Sequence, residues 1–76
     1  MILEIFSPES GKKMDQVQSV VLPGSLGQAQ ILPGHAEAFF SLKAGNIVVE
    51  TQKDTQEIPI SGGICYIEND NISVVL

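Results

Sequence analysis

Cys65 and His35 are the residues to weigh first, because a thiolate beside an imidazole forms a nucleophile–base pair. Each is the single residue of its type among 76. Cys65 lies in Gly63-Ile64-Cys65-Tyr66-Ile67, an apolar run in which a cysteine reads as a small buried hydrophobe. A Cys/His zinc centre needs three or four ligands, so the residue count excludes one. Paired carboxylates could do acid–base work. Yet Glu9, Asp15, Asp54, Glu57, Glu68 and Asp70 fall in turns and strand ends, where solvated carboxylates keep a small domain soluble. Glu68 with Asp70 could hold calcium weakly, but nothing resembles an EF-hand loop. Gly24-Ser25-Leu26-Gly27 and Ser61-Gly62-Gly63 invite a phosphate-loop reading; neither runs into a Lys-Ser/Thr pair or a helix, and turn geometry accounts for both. The expectation is a chain with no catalytic set, no metal site and no cofactor.

The elements that position these residues come in short apolar bursts divided by turn formers. The bursts are Ile2 to Phe6, Val17 to Leu22, Ala29 to Leu32, Ala38 to Leu42, Ile47 to Thr51, Glu57 to Ile60, Ile64 to Glu68 and Ile72 to Leu76. Between them stand Ser7-Pro8-Glu9-Ser10-Gly11, Pro23-Gly24-Ser25, Pro33-Gly34, Ala44-Gly45-Asn46, Lys53-Asp54-Thr55-Gln56, Ser61-Gly62-Gly63 and Asn69-Asp70-Asn71. A spacing of about ten residues predicts an all-β sandwich or barrel. Val and Ile suit a pleated surface, and no long window keeps a helical period free of Gly and Pro. In Glu57-Ile58-Pro59-Ile60-Ser61 the two isoleucines share a face. Val17 to Leu22 and Ala38 to Leu42 do not alternate cleanly, which predicts strands covered on both faces. Phe39 and Phe40 must point to opposite sides of their sheet, so one lies on an outer face, either in an apolar contact patch or under a loop.

Composition narrows the function classes. Nine acidic residues face four lysines and no arginine, for a net charge of −5. Nucleic-acid affinity needs phosphate-neutralising cations, and an anionic membrane surface is disfavoured for the same reason. The chain is 43% hydrophobic and 17% charged, the opposite of a disordered composition. No segment reaches the roughly 18 apolar residues of a membrane-spanning helix. The start, Met1-Ile2-Leu3-Glu4, lacks the basic region of a signal peptide, and a lone cysteine fits a reducing compartment. A chain this short, without a disulfide, looks to a partner for extra stability.

Two stretches carry more. One is Val20-Val21-Leu22-Pro23-Gly24-Ser25-Leu26-Gly27-Gln28-Ala29-Gln30-Ile31-Leu32-Pro33-Gly34-His35-Ala36; the other is Ser61-Gly62-Gly63, followed by an apolar strand and an Asn/Asp turn. Together with Leu3-Glu4-Ile5-Phe6-Ser7-Pro8-Glu9 and Leu42-Lys43-Ala44-Gly45, they resemble the N-terminal β-sandwich domain of the F-type ATP synthase epsilon subunit, called delta in mitochondria. The resemblance covers residues 1–76 as one domain. It implies an antiparallel β-sandwich of two five-stranded sheets packed face to face. It implies a non-catalytic rotor subunit of the central stalk that clasps the gamma subunit, rests on the c-ring loops and couples proton or sodium flow to ATP synthesis. It also implies a place at the cytoplasmic face of the bacterial inner membrane, held through the synthase complex without insertion into the membrane.

By the same resemblance Gly24, Ser25, Leu26, Gly27 and Gln28 match the c-ring-facing loop. Pro33, Gly34 and His35 match the turn near gamma, where the histidine could bond a partner or the turn backbone. Phe39 and Phe40 follow on the next strand as gamma-facing residues, and an outward Phe40 would strengthen an apolar contact. The sequence departs from the family pattern at Gln28, where an acidic residue is usual, at Gln30 in place of glycine, and at Glu37 in place of proline. The sequence stops at Ile72-Ser73-Val74-Val75-Leu76, read as the last strand, with no C-terminal helical hairpin, so hairpin-based inhibition and ATP binding are not assigned to it. The alternative reading is a diverged β-sandwich interaction module with another protein or ligand partner; one Tyr and no Trp argue against a sugar site.

Overall fold

The computed structural model describes residues 1–76 as seven strands and no helix. They are β1 (Ile2–Phe6), β2 (Gly11–Met14), β3 (Val17–Gly24), β4 (Gly27–Ile31), β5 (Ala38–Thr51), β6 (Thr55–Glu68) and β7 (Asn71–Val75). All seven form one hydrogen-bonded sheet in the order β2-β1-β7-β6-β5-β3-β4. The all-β class therefore holds. The expected two five-stranded sheets are instead one continuous seven-stranded sheet, and the expected antiparallel pairing has one exception, since β1 runs parallel to β7.

The reason lies in β5 and β6. Ala44-Gly45-Asn46 and Ser61-Gly62-Gly63 read as turns, but both lie inside strands of 14 residues each. Pairing runs through them from Ala38↔Ile67 to Glu50↔Thr55. The long hairpin bends at these glycines and carries the sheet from one layer to the other. Gly63 has φ +152°, and a Cβ there would lie 2.5 Å from the Val75 carbonyl oxygen. At Gly45 a Cβ would lie 2.9 Å from Cβ of Pro23. Glycine is needed at both because backbone or ring atoms pass where a side chain would stand.

The bent sheet encloses one core. Leu3, Ile5, Cys65, Ile67, Ile72 and Val74 meet Val17, Val20, Leu22, Ile31, Ile47, Val49 and Ile60 in a single buried cluster, completed by Leu42. The short molecular axis of 17 Å suits two layers about 10 Å apart. The broken alternation of β3 comes from a bulge between Val17 and Ser19, and its second face is covered in part, as expected, with Ser19 buried. The extra residue, Gln18, shifts the alternation by one, so Val17, Val20 and Leu22 all point inward while Val21 stays half-buried. Ile58 and Ile60 share the inner face as expected. Strand β2 carries no apolar alternation and was not legible; pairing with β1 from Leu3↔Met14 to Phe6↔Gly11 holds it.

Candidate interaction surface

Hairpin β3–β4 turns over two residues, Ser25 and Leu26, between the facing Gly24 and Gly27. The turn is tight: a Cβ on Gly24 would approach the Gly27 carbonyl oxygen to 2.5 Å. Ser25 pins the tip to β5, its N–H donating to the Ser41 carbonyl at 2.8 Å and its hydroxyl to Ser41 Oγ at 3.1 Å. Leu26 projects from the tip with its side chain wholly in solvent, 105% exposed. The tip therefore presents apolar side-chain area to solvent.

The Phe39–Phe40 pair resolves clearly. Phe39 is the outward residue, 66% exposed, and Phe40 is half-buried against the core. The outer face at this strand is therefore open, which corrects both the expectation of a strand covered on both sides and the suggestion of Phe40 as the outward contact. Phe39 packs edge-on against Tyr66 across the pairing, with ring centroids 6.3 Å apart. Register continues the apolar face. Ser41, Ile64, Val75 and Phe6 lie in one row across β5, β6, β7 and β1. Ile64, Tyr66, Val75 and Phe6 are all exposed. Their signal was present in the sequence: Ile64 and Tyr66 alternate with Cys65 and Ile67, so a strand apolar on both faces must show one of them to solvent.

The rim of this face is acidic. Tyr66 Oη donates to Glu37 Oε1 at a long 3.5 Å. The negative charges of Glu37 and then Glu68 hold the phenol above its ordinary range. On the inner side, burial pushes the Cys65 thiol up to about 11, so it is an inert core group rather than a nucleophile. Cys65 and His35 do not form a pair; the thiol lies in the core, and His35 Nδ1 donates to the Ala36 carbonyl at 2.7 Å in the exposed β4–β5 loop. That ring bond belongs to the turn backbone. Gly34 N–H donates to Asp70 Oδ1 at 2.8 Å, which ties Pro33-Gly34-His35 to the β6–β7 turn. That turn is a two-residue hairpin with Asn69 and Asp70 at φ +52° and +60°, the geometry Asn and Asp tolerate best after glycine.

The residues assigned from sequence thus fall in two places. Gly24 to Gln28 join Phe39 and Phe40 in one groove of about 420 Å³, although they had been divided between two partners. Pro33, Gly34 and His35 do not line it; they cap the neighbouring end of the sandwich.

The sequence model for the beta-sandwich domain of the ATP synthase Delta/Epsilon chain matches residues 1–76. The chain belongs to that family. Among curated relatives, the ATP synthase epsilon chain of Prochloron didemni is 33% identical over 76 residues, covering 100% of this chain and 56% of that one. The epsilon chain of Campylobacter curvus is 38% identical over 74 residues, covering 96% and 57%. The chain therefore spans somewhat over half the length of these Delta/Epsilon relatives. The same fold occurs in the Euglena gracilis mitochondrial ATP synthase, with a TM-score of 0.86 at 18% identity over 96% of this chain and 48% of that one. It recurs in the Tetrahymena thermophila ATP synthase central stalk/c-ring structure, with 0.77 at 14% identity, 100% and 63% covered.

Proposed function

We propose that the chain acts as a non-catalytic rotor module of an F-type ATP synthase, binding the gamma subunit and resting on the c-ring loops so that ion flow is coupled to ATP synthesis. In this reading it works at the cytoplasmic face of a bacterial inner membrane, held there by the synthase. Membership of the Delta/Epsilon family supports the reading, and one observation carries it to particular residues: the exposed Phe39–Tyr66 pair beside the exposed row of Ile64, Val75 and Phe6 on an acidic domain. A contiguous apolar face on a small protein is the mark of a contact surface, and edge-stacked aromatic residues are typical anchors.

Gamma is assigned to the outer face at Phe39, Tyr66, Ile64, Val75 and Phe6, with Pro33, Gly34 and His35 at its margin and Phe40 supporting it from the inner side. The c ring is assigned to the tip formed by Gly24, Ser25, Leu26, Gly27 and Gln28. Leu26 offers apolar area there, and neutral Gln28 offers hydrogen bonds rather than charge. The acidic rim of Glu37 and Glu68 suits a partner carrying lysine or arginine beside its apolar ridge.

Calorimetric titration with the matching gamma subunit tests this. Saturable one-to-one binding with a negative heat-capacity change is expected, because apolar area is buried. Phe39→Asp is expected to weaken that binding by about a hundredfold or more, as loss of an aromatic anchor does, while lowering stability by only about 1 to 2 kcal/mol through loss of the Tyr66 contact. A folded chain that binds no gamma overturns the reading in favour of an interaction module with another partner.

A further inference from the structure

The sheet has two ends, β2 and β4, and they are not equivalent. Strand β2 is four residues long and carries Lys12 and Lys13, both exposed, the side chains that discourage a further strand from pairing. Lys12 Nζ also donates to Gln56 Oε1 at 3.2 Å, across to the first half of β6. Strand β4, Gly27-Gln28-Ala29-Gln30-Ile31, has no charge and no proline. Its register with β3 runs unbroken from Gly24↔Gly27 to Val20↔Ile31.

That register fixes what the β4 edge presents. A two-residue turn is closed by a pair that exchanges backbone hydrogen bonds, here Gly24 and Gly27, and alternate pairs onward do the same. Ala29 and Ile31 therefore bond inward to Leu22 and Val20. Gln28 and Gln30 direct N–H and C=O outward, away from β3. Pro23, opposite Gln28, fits this arrangement. Beside the edge lies the groove of about 420 Å³, with Leu26, Ala29, Phe39 and Phe40 among its lining residues.

We propose that the β4 edge is a docking site for an extended segment of another polypeptide, which adds as a further strand on Gln28 and Gln30 and seats a large apolar side chain in the groove beside Ala29 and Phe40. Main-chain bonds supply affinity in such strand addition, and pockets for alternate side chains supply specificity. A residue placed opposite Ala29 points to the same side as Ala29, toward the groove. The occupant is a different chain rather than a second copy. A second copy pairing through β4 would bring only the methyl group of its own Ala29, which cannot fill the groove. It would also set one net charge of −5 against another. The segment that fits has an apolar residue at alternate positions and is neutral or basic between them. The site adjoins the face assigned to gamma, since Phe39 and Phe40 border both, but the main-chain groups of Gln28 and Gln30 belong to the edge alone.

The probe is the amidated peptide acetyl-Thr-Val-Thr-Leu-Thr-Val-Lys, followed by amide hydrogen exchange of the whole chain. At saturation the Gln28 and Gln30 amides are expected to slow by at least about tenfold, while Ala29 and Ile31, already bonded to β3, change little. Replacing the central Leu of the peptide with Ala is expected to weaken binding by about tenfold. N-methylation of alternate peptide residues is expected to abolish it. Gln28→Pro is expected to keep the melting temperature and lose the peptide, since the nitrogen it alters has no internal partner. The proposal is overturned if millimolar peptide does not bind, if bound peptide leaves both glutamine amides unchanged, or if the N-methylated peptide binds equally well. Protection of Gln28 and Gln30 that rises with protein concentration alone would assign the edge to a second copy and overturn the occupant proposed here.

Discussion

The sandwich closes one of its seams and leaves the other open. On the closed side Met1 and Val17 exchange backbone hydrogen bonds, with the terminal amine donating to the Val17 carbonyl at 3.1 Å and the Val17 N–H to the Met1 carbonyl at 3.0 Å. The Lys12–Gln56 bond lies across β2 and β6. The open side has the groove, the bare β4 edge and the solvent-exposed Leu26. A small domain with one core gains stability from each strand and seam it closes. Both sheet ends leave backbone groups unpaired, but only the β4 end combines an uncharged edge with an apolar groove, the pairing of features that suits attachment of another chain. The outer apolar face begins at this open side with Phe39 and extends across the sheet through Ile64, Val75 and Phe6.

Substitutions should sort by side, and the stability effects rank accordingly. Gly63→Ala forces a Cβ against the Val75 carbonyl at a φ that side chains rarely adopt. It is expected to cost roughly 3 kcal/mol, seen as a fall of more than about 10 °C in melting temperature. A variant that melts normally would remove the bend from the account of the fold.

Cys65 gives the next effect. Its thiol ionises near the ordinary 9.0 when unfolded and near 11 when folded. The raised folded value means that its contribution is fully present below pH 9 and is lost as pH rises toward 11. Urea titrations should show the chain losing about 2 to 3 kcal/mol across that window relative to Cys65→Ala. Equal pH dependence in both would place the thiol outside the core.

Making the closed side resemble the open one sharpens the contrast with the smallest change in stability. The double substitution Lys12→Thr with Lys13→Val removes both charges from the β2 edge. It is expected to alter stability by under about 0.5 kcal/mol and to produce concentration-dependent association in sedimentation. A monomeric double variant would show that the lysines are not what protects that edge.

Much of this architecture was legible from the sequence. Ile2–Phe6 matches β1 to the residue, and β3, β4 and β7 lie within two residues of their apolar bursts, because Val and Ile runs between Pro/Gly punctuation leave few alternatives. What was not legible depends on pairing. Gly45, Gly62 and Gly63 have the composition of turns, and only the neighbouring strand shows that the chain continues through them. The Lys-rich β2 forms because β1 offers it a ladder. The groove eluded sequence reading for the same reason. Gly24 faces Leu42 across a bulged register, a contact between residues far apart in sequence that no local pattern encodes. Phe39 and Phe40 were correctly divided between the two faces, but which of them pointed outward depended on the phase that β6 imposes.

In the proposed role, partner contacts lie on the open side of the sandwich and on the outer face leading from it. Hydroxyl-radical footprinting of the chain, free and saturated with the gamma subunit, tests that directly by reading side-chain exposure. Oxidation of Phe39, Tyr66 and Ile64 is expected to fall several-fold in the complex while Met14, on the β2 edge, is oxidised at its free rate. Unchanged oxidation of Phe39 and Tyr66 in a saturated complex, or protection confined to Met14, would contradict it.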